Sequence, residues 1–215
     1  MKSDASQDQE PKGWYSRGYL PHFDAFDVNQ FVTIRLHDSV PVKVIAQWQD
    51  ELRYVPEEKR RIQLIRMIEK YLDMGHGSSY LAEPSIARIV ADSLQFWDGV
   101  KYKLQAYVIM PNHAHLLLKP FEGEHLFKVV QSLKKYTSRL ANEALGKTGH
   151  FWYREYFDRY MRDEQHFART VDYIHQNPVK AKLCATASDW EFSSAARTLN
   201  QIQADADLEI SGPGE

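Results

Sequence analysis

Two short apolar runs separated by a proline turn constrain the fold of this 215-residue chain more than any other feature. The runs are residues 102–110 (YKLQAYVIM) and 113–119 (HAHLLLK), and Pro111 and Asn112 lie between them. Each run is too short for a buried helix, and so tight a break joins neighbouring antiparallel strands. The sequence therefore predicts a β-hairpin in the centre of a sheet.

The segments around this hairpin alternate between strand and helix patterns. Residues 30–36 alternate apolar and polar side chains like a strand, and residues 151–162 are aromatic-rich and extended in pattern. Apolar spacings of three and four predict helices in the segments 42–55, 56–75, 84–99, 124–144 and 164–177. We expect Pro178 to end the last helix, because proline disfavours helical geometry in the preceding residue. This order predicts an α+β, ferredoxin-like fold with helices on one side of an antiparallel sheet.

The chain is expected to form one domain. Residues 1–12 are polar and predict a disordered lead, residues 13–200 contain the domain, and residues 201–215 predict an acidic, flexible tail. Residues 38–80 predict a helical insertion whose simplest interpretation is a solvated pair of packing helices. No run of about 18 apolar residues and no signal-peptide pattern is present, so a cytoplasmic protein without a membrane span is expected.

Charge and cysteine content limit which partners and metal ligands this chain can have. The formal charge of −2 argues against a nucleic-acid partner at first sight, but it is an average over the chain, and the acidic termini conceal a basic internal segment. Residues 128–182 hold 11 basic and 6 acidic side chains, which favours either a solvated helical face or DNA binding confined to one face. Cys184 is the only cysteine, so a metal site would need histidine, carboxylate or amide ligands.

Two residue pairs are candidates for chemistry. His113 and His115 lie two positions apart on a predicted strand, so their rings share a face and either ligate one ion or are ordinary strand histidines. Tyr173 and Asn177 lie one helical turn apart, beside the apolar stripe of the last helix. They are either a boundary tyrosine with a helix cap, or a nucleophile with a metal-ligating amide.

An ordered set of segments resembles one family. The set is YKLQAYVIMPNHAHLLLKP, QSLKKYTSRLAN, GHFWYREYFDRYMRDEQHF and VDYIHQNPVKAKL, preceded by GWYSRGYLPHFDAF. It resembles the REP-associated tyrosine transposases, a branch of the IS200-like, single-tyrosine HUH nuclease superfamily, over residues 13–195. The resemblance implies the HUH nuclease fold, with His113 and His115 as metal ligands, Tyr173 as nucleophile and Asn177 as third ligand. Ala114 departs mildly from the hydrophobic middle residue of that motif.

The resemblance also implies an activity: metal-dependent cleavage and transfer of single-stranded DNA from palindromic repeat hairpins through a 5′-phosphotyrosine. The ion would be Mg²⁺ or Mn²⁺, and no nucleotide cofactor is implied, which agrees with the lack of a Walker motif. A monomeric, nucleoid-associated protein is expected. The alternatives are a catalytically silent hairpin-binding regulator and an RNA-binding module, the latter disfavoured because the central strands offer only Tyr107 as an aromatic platform.

Candidate DNA contacts are basic side chains beside aromatic ones, a combination that suits unpaired nucleotides. They are Arg17, Tyr19, Lys134, Lys135, Arg139, Arg154 and Arg159, with Phe151, Trp152, Tyr153 and Tyr156 as stacking candidates of which about half are expected to face the core.

Overall fold

The computed structural model describes residues 10–16 and 21–196 of the chain. In chain order these residues form β1 (Gly13–Ser16), β2 (Pro21–Asp24), β3 (Gln30–Arg35), α1 (Val42–Glu51), α2 (Glu57–Asp73), α3 (Pro84–Phe96), β4 (Tyr102–Ile109), β5 (His113–Pro120), α4 (Leu126–Ala144), β6 (Phe157–Tyr160) and α5 (Glu164–Lys180). Within that part of the chain, no helix has the length and apolar composition needed to cross a bilayer.

The predicted hairpin forms the centre of an antiparallel sheet with the strand order β4–β5–β3–β6. Two strand–helix–strand units build it, β3–α3–β4 and β5–α4–β6, and their interleaving is the ferredoxin-like layout. The predicted α+β fold class is thus confirmed. The register places Thr33 of β3 opposite His115 and Arg35 opposite His113.

One face of the sheet packs against α3 and α4. Alternate residues of β3 and β5 point to this face, so their apolar side chains join those of the two helices in the largest core cluster. It includes Val32 and Ile34, Leu116 and Leu118, and the helical residues Ile86, Val90, Leu94, Val129, Val130 and Leu133.

The opposite face is covered by α5, so the expectation of helices on one side only is wrong. Ile174 is fully buried against Phe31, Val108 and Leu117, and Val171 packs beside it. The central strands consequently carry apolar side chains on both faces, which explains why apolar and polar residues do not alternate cleanly in their sequences. Because His113, His115 and Leu117 alternate with Ala114 and Leu116, both histidines lie on the α5 face.

Helix α5 begins as expected and ends later than expected. The Asp163 side chain accepts a hydrogen bond from the backbone N–H of His166 at 2.6 Å and caps the first turn. The helix then continues through Pro178 to Lys180, so Asn177 lies inside the helix. Pro178 lacks an N–H and so removes one hydrogen-bond donor near the end of the helix. The Ala181 N–H still donates to the Asn177 carbonyl, so the helix continues although proline disfavours helical geometry in the residue before it.

The predicted insertion forms the helix pair α1 and α2 between β3 and α3. Its apolar side chains build a separate small cluster with Phe157 of β6, in which Ile68 and Leu72 are almost fully buried. The pair is therefore packed on the β6 side of the sheet, and the C-terminal end of α2 reaches the turn between β4 and β5, where Asn112 binds the Leu72 carbonyl.

Strands β1 and β2 form a second, two-stranded sheet that was not predicted. Two buried acid–histidine pairs attach it to the domain: His22 with Asp158, and Asp24 with His125. Residues 1–9 of the predicted disordered lead and the whole predicted acidic tail, residues 201–215, lie outside the described residues.

Candidate active site

The histidine pair occupies the first residues of β5, on the face covered by α5. His113 and His115 are 1% and 0% exposed, and their Nε2 atoms are 3.0 Å apart. Alternation along the strand gives both rings the same direction, as predicted. Two donors that each lie about 2.1 Å from one ion are about 3 Å apart when they bind at a right angle, so this spacing suits a shared cation.

Outer hydrogen bonds set the tautomers of both rings. The Asn112 amide group donates to the carbonyls of Leu72 and His76, so its Oδ1 is left to accept from His113 Nδ1 at 2.6 Å. The His115 Nδ1 lies 2.8 Å from the Thr33 hydroxyl. When this hydroxyl accepts a hydrogen bond from the ring, the proton of His115 is likewise on Nδ1. Each ring then presents the lone pair of Nε2 to the space between them.

Burial keeps these rings uncharged. It lowers the pKa of His113 to about 3, and it lowers the pKa of His115 far below the usual range, with His113 and Arg159 acting in the same direction. Neutral imidazole is the form that binds a cation. The pair is therefore in its ligating form throughout the neutral pH range.

Tyr173 approaches the pair from α5. Its hydroxyl lies 3.3 Å from His115 Nε2, and its ring packs edge-on against Phe31. Burial, with Glu69 and Asp73 as secondary causes, raises the pKa of the phenol above its usual range. The side chain is therefore a neutral phenol at neutral pH, and its oxygen points toward the histidine nitrogens.

Asn177 lies one turn further along α5 and is 3% exposed. Its Oδ1 atom is buried and has no hydrogen-bond partner within the described part of the chain. Burial raises the pKa of Asp73, as it does that of Tyr173, and a hydrogen-bonding interaction with the Asn177 side chain opposes both shifts, so the amide reaches this site. A buried acceptor without a donor costs free energy unless a cation or water satisfies it. Two neutral imidazoles and this orphaned oxygen fit a divalent ion.

One residue of the site escaped the sequence analysis. Asp73, the last residue of α2, places its Oδ1 atom 3.9 Å from His113 Nε2. The nearest ligand atoms of Asp73, His113 and His115 all lie within 4.8 Å of one another. No local pattern marks Asp73, because its position results from how the inserted helix docks.

A cleft of about 500 Å³ opens beside the site between α2 and β6. Phe31, which stacks on His115, forms part of its wall, and Trp14 forms another part. Four arginines line it, namely Arg61, Arg66, Arg159 and Arg162. Glu69 also lines the cleft, and burial raises its pKa to about 7.

The predicted DNA contacts divide into separate locations. Arg159 lies on β6 beside the histidine pair, with its guanidinium 5.4 Å from the centre of the Phe31 ring. Lys134, Lys135 and Arg139 lie on α4, which packs on the other face of the sheet. Lys134 donates to the carbonyls of Tyr153 and Arg154 and so holds the segment that precedes β6.

The remaining predicted contacts are Arg154, Arg17 and Tyr19. The Arg154 side chain is 86% exposed near Lys134, whereas Arg17 and Tyr19 lie outside the described residues. Of the four aromatic stacking candidates, Phe151, Trp152 and Tyr156 are at most 5% exposed. These three are core side chains, so more of the aromatic segment faces inward than expected.

A ferredoxin-like sheet with a histidine pair on a central strand, faced by a tyrosine on a covering helix, is the arrangement that the resemblance to single-tyrosine transposases predicts. Comparison with known families agrees, because residues 87–177 match the family described as "Transposase IS200 like". The matched segment contains His113, His115, Tyr173 and Asn177. The resemblance to IS200-like transposases is therefore confirmed.

Individual relatives carry the same name as the branch identified from the sequence. The chain is 28% identical over 96 residues to the REP-associated tyrosine transposase of Escherichia coli strain K12, which covers 45% of this chain and 56% of that protein. It is 26% identical over 106 residues to a protein of Haemophilus influenzae assigned to the same group, over 45% of this chain and 60% of the relative. The chain thus matches less than two thirds of either relative's length.

A solved structure shares the fold. The structure of a REP-associated tyrosine transposase bound to a REP hairpin superposes with a TM-score of 0.55 and 19% sequence identity, and the alignment covers 86% of this chain and 84% of that one. This similarity supports the predicted HUH nuclease fold. It also extends beyond the segment matched by the family model.

Proposed function

We propose that this chain is a DNA strand-cleaving and strand-joining enzyme that uses Tyr173 as its nucleophile. Its substrate would be single-stranded DNA that carries a hairpin, as in the palindromic REP repeats after which its relatives are named. A divalent cation, Mg²⁺ or Mn²⁺, would be held by His113, His115 and Asn177.

The 3.3 Å separation between the Tyr173 hydroxyl and His115 Nε2 carries this proposal. A nucleophile must lie within reach of the group that polarises its target, and here the phenol and the paired Nε2 atoms share one small space. The two elements that bring them together, β5 and α5, pack against each other on the α5 face of the sheet and are far apart in sequence.

The proposed step conserves atoms and charge. The Tyr173 oxygen attacks the scissile phosphorus, an oxygen–phosphorus bond forms, and the bond from phosphorus to the 3′ oxygen breaks. The phenolic proton is lost to solvent, and the leaving oxygen gains one to become a 3′-hydroxyl. The 5′-phosphotyrosine that results keeps the phosphodiester energy, so attack by another 3′-hydroxyl reverses the step without a nucleotide cofactor.

The protein groups around Tyr173 suit this step. A bound divalent ion would supply charge neutralisation at a nonbridging phosphate oxygen. Thr33 and Asn112 hold the two rings so that Nε2 faces inward, and Asn177 adds an oxygen donor from the helix that carries the nucleophile. Arg159 offers a fixed positive charge on β6, which is separated from β5 by β3.

The arginine-lined cleft gives the single strand a path to Tyr173. Arg66 and Arg159 are exposed there and would contact phosphates, while the Trp14 ring, 54% exposed, offers a stacking surface for a base. Lys135, Arg139 and Arg154 lie elsewhere on the surface, and we assign them to the paired stem of a hairpin. Each part of the proposed substrate thus has a basic surface of its own.

The test is formation of a covalent protein–DNA adduct. The full chain would be incubated with Mn²⁺ and end-labelled oligonucleotides from a library of short hairpins with single-stranded flanks, then separated under denaturing conditions. We expect a denaturant-resistant adduct with the unmodified chain and none with Tyr173→Phe. Tyr136→Phe, which removes an exposed hydroxyl on α4, is the matched control and should form as much adduct as the unmodified chain.

Two results would overturn the proposal. One is an adduct that persists in Tyr173→Phe, which would place the nucleophile elsewhere. The other is tight, salt-sensitive hairpin binding without any adduct, which would identify a catalytically silent regulator with the same fold. Sedimentation of the free chain and of the complex would test the proposed monomeric state.

A further inference from the structure

The inserted helix α2 ends beside the histidine pair. Its last residue, Asp73, places a carboxylate oxygen 3.9 Å from His113 Nε2, and the Asp73 side chain is 40% exposed. Donors that share one ion at about 2.1 Å lie between about 3.0 Å apart at a right angle and about 4.2 Å apart when they oppose each other. The separation of Asp73 from His113 falls within this range.

The position of Asp73 is fixed by its neighbours. The Asn112 side chain donates to the carbonyl of Leu72 at 3.1 Å and to that of His76 at 3.0 Å, so the chain is held on both sides of Asp73. Leu72 and Ile68 are almost fully buried in the cluster that attaches α2 to β6. Because Asn112 also binds the ring of His113, one side chain sets the spacing between the carboxylate and the imidazole.

A second observation points to a ligand at the same place. The buried Asn177 Oδ1 atom has no partner among the described residues, and the Asn177 side chain interacts with Asp73. Side chains from α2, β5 and α5 therefore converge there, one of them with an unsatisfied acceptor. Burial raises the pKa of Asp73, and the positive charge of Lys180, on the same helix as Asn177, opposes that shift.

We propose that Asp73 is a fourth protein ligand of the divalent cation, supplied by the inserted helix. The inference rests on the proposed function for the identity of the site, and it adds an anionic oxygen to a set that is otherwise neutral. Carboxylate oxygens suit Mg²⁺ better than imidazole nitrogens do, so Asp73 would increase the affinity for Mg²⁺ in particular. The insertion then takes part in the metal site, rather than serving only as a packing element.

The test measures metal binding directly and needs no DNA. Mn²⁺ would be titrated into the metal-free full chain, and the free ion followed by electron paramagnetic resonance, with Mg²⁺ competition as the second measurement. We expect Asp73→Asn to weaken Mn²⁺ binding by at least about tenfold, the lower end of the effect of losing an outer partner of a ligand. Asp73→Glu, which keeps the carboxylate, should recover part of the affinity.

Asp50→Asn is the matched control, because Asp50 is an exposed carboxylate of the same insertion and forms an ion pair with the exposed side chain of Arg53. Circular dichroism and melting in EDTA would show that all variants are folded. An Asp73→Asn affinity within about twofold of the unmodified chain would overturn the inference. That result together with an intact Tyr173 adduct leaves the proposed function standing. Loss of Mn²⁺ affinity in Asp73→Asn, with no adduct formed by the unmodified chain, would instead support the metal site and reject the proposed function.

Discussion

The side-chain amide of Asn112 lies 3.1 Å from the carbonyl oxygen of Leu72, across a sequence separation of 40 residues. This hydrogen bond joins the turn between β4 and β5 to the last turn of the inserted helix. The same amide group fixes the ring of His113. Asn112 is therefore the link between the sheet and the insertion at the point where the candidate active site lies.

We expect Asn112→Ala to destabilise the protein by about 1–3 kcal/mol, because it removes two hydrogen bonds to carbonyls and leaves the buried ring N–H of His113 without its partner. Urea unfolding of the two proteins would measure the difference. Asn142→Ala is the control, since the Asn142 amide donates to the Gly149 carbonyl at an exposed position and should cost less than about 1 kcal/mol. Equal losses in both variants would contradict the role given to Asn112.

Glu69 predicts a pH-dependent stability. Its pKa is about 7 in the folded protein and near 4.5 when unfolded, because burial outweighs the favourable charges of Arg159 and Arg66, and Asp73 adds to the upward shift. The stabilising effect of the protonated carboxyl is complete below about pH 4.5 and is lost as the pH rises through 7. Glu69→Gln, which cannot ionise, should therefore be more stable than the unmodified chain by roughly 3 kcal/mol at pH 8.

The same two proteins should differ little near pH 4, where the carboxyl of the unmodified chain is also neutral. Denaturant unfolding at the two pH values would show the contrast. Glu143→Gln, at an exposed position of α4, should show no comparable dependence. A gain from Glu69→Gln that is the same at both pH values would indicate an effect unrelated to ionisation.

Thr33 is expected to act on the metal through His115. Thr33→Val keeps the shape of the side chain and removes the hydroxyl that lies 2.8 Å from His115 Nδ1. Loss of such an outer partner weakens metal binding by about 10- to 100-fold, and Mn²⁺ titration would measure it. Thr33→Ser keeps the hydroxyl and should bind nearly as well as the unmodified chain. Equal affinities for the valine and serine variants would exclude this role.

We predict that the arginine-lined cleft binds single-stranded DNA and that the basic face of α4 does not. Replacing Arg66 and Arg159 by alanine should weaken binding of a short oligonucleotide without a hairpin, and should reduce the slope of log affinity against log salt by about 0.7 for each lost contact. Replacing Lys135 and Arg139, across the sheet, should leave that slope unchanged. Fluorescence anisotropy over a salt series would measure both affinities. If the α4 substitutions weakened binding and the cleft substitutions did not, the single strand would bind on α4 instead.

Much of the fold and part of the site could be predicted from local patterns. The two-residue period of a strand put His113 and His115 on one face, and the helical period put Tyr173 and Asn177 on neighbouring turns. These relationships depend only on backbone geometry. They needed no knowledge of which elements pack together.

The features that escaped prediction depend on packing between distant segments. Asp73 reaches the site because Asn112 and the buried Leu72 dock α2, and neither contact leaves a mark in the sequence near Asp73. The placement of α5 on the second face of the sheet did leave a mark, since residues 106–110 and 116–118 are apolar without alternation. A strand with two apolar faces is one covered on both sides.

The pairing of Arg35 with His113 has a consequence for how this protein family can diverge. Because β3 ends directly opposite the first histidine, any segment added after β3 starts at the active site. Such an addition lengthens a connection without altering the strand order, so the surroundings of Tyr173 can change while the sheet stays the same. The chain between β3 and α3 is therefore the place where a change of length alters the surroundings of the candidate active site and leaves the sheet as it is.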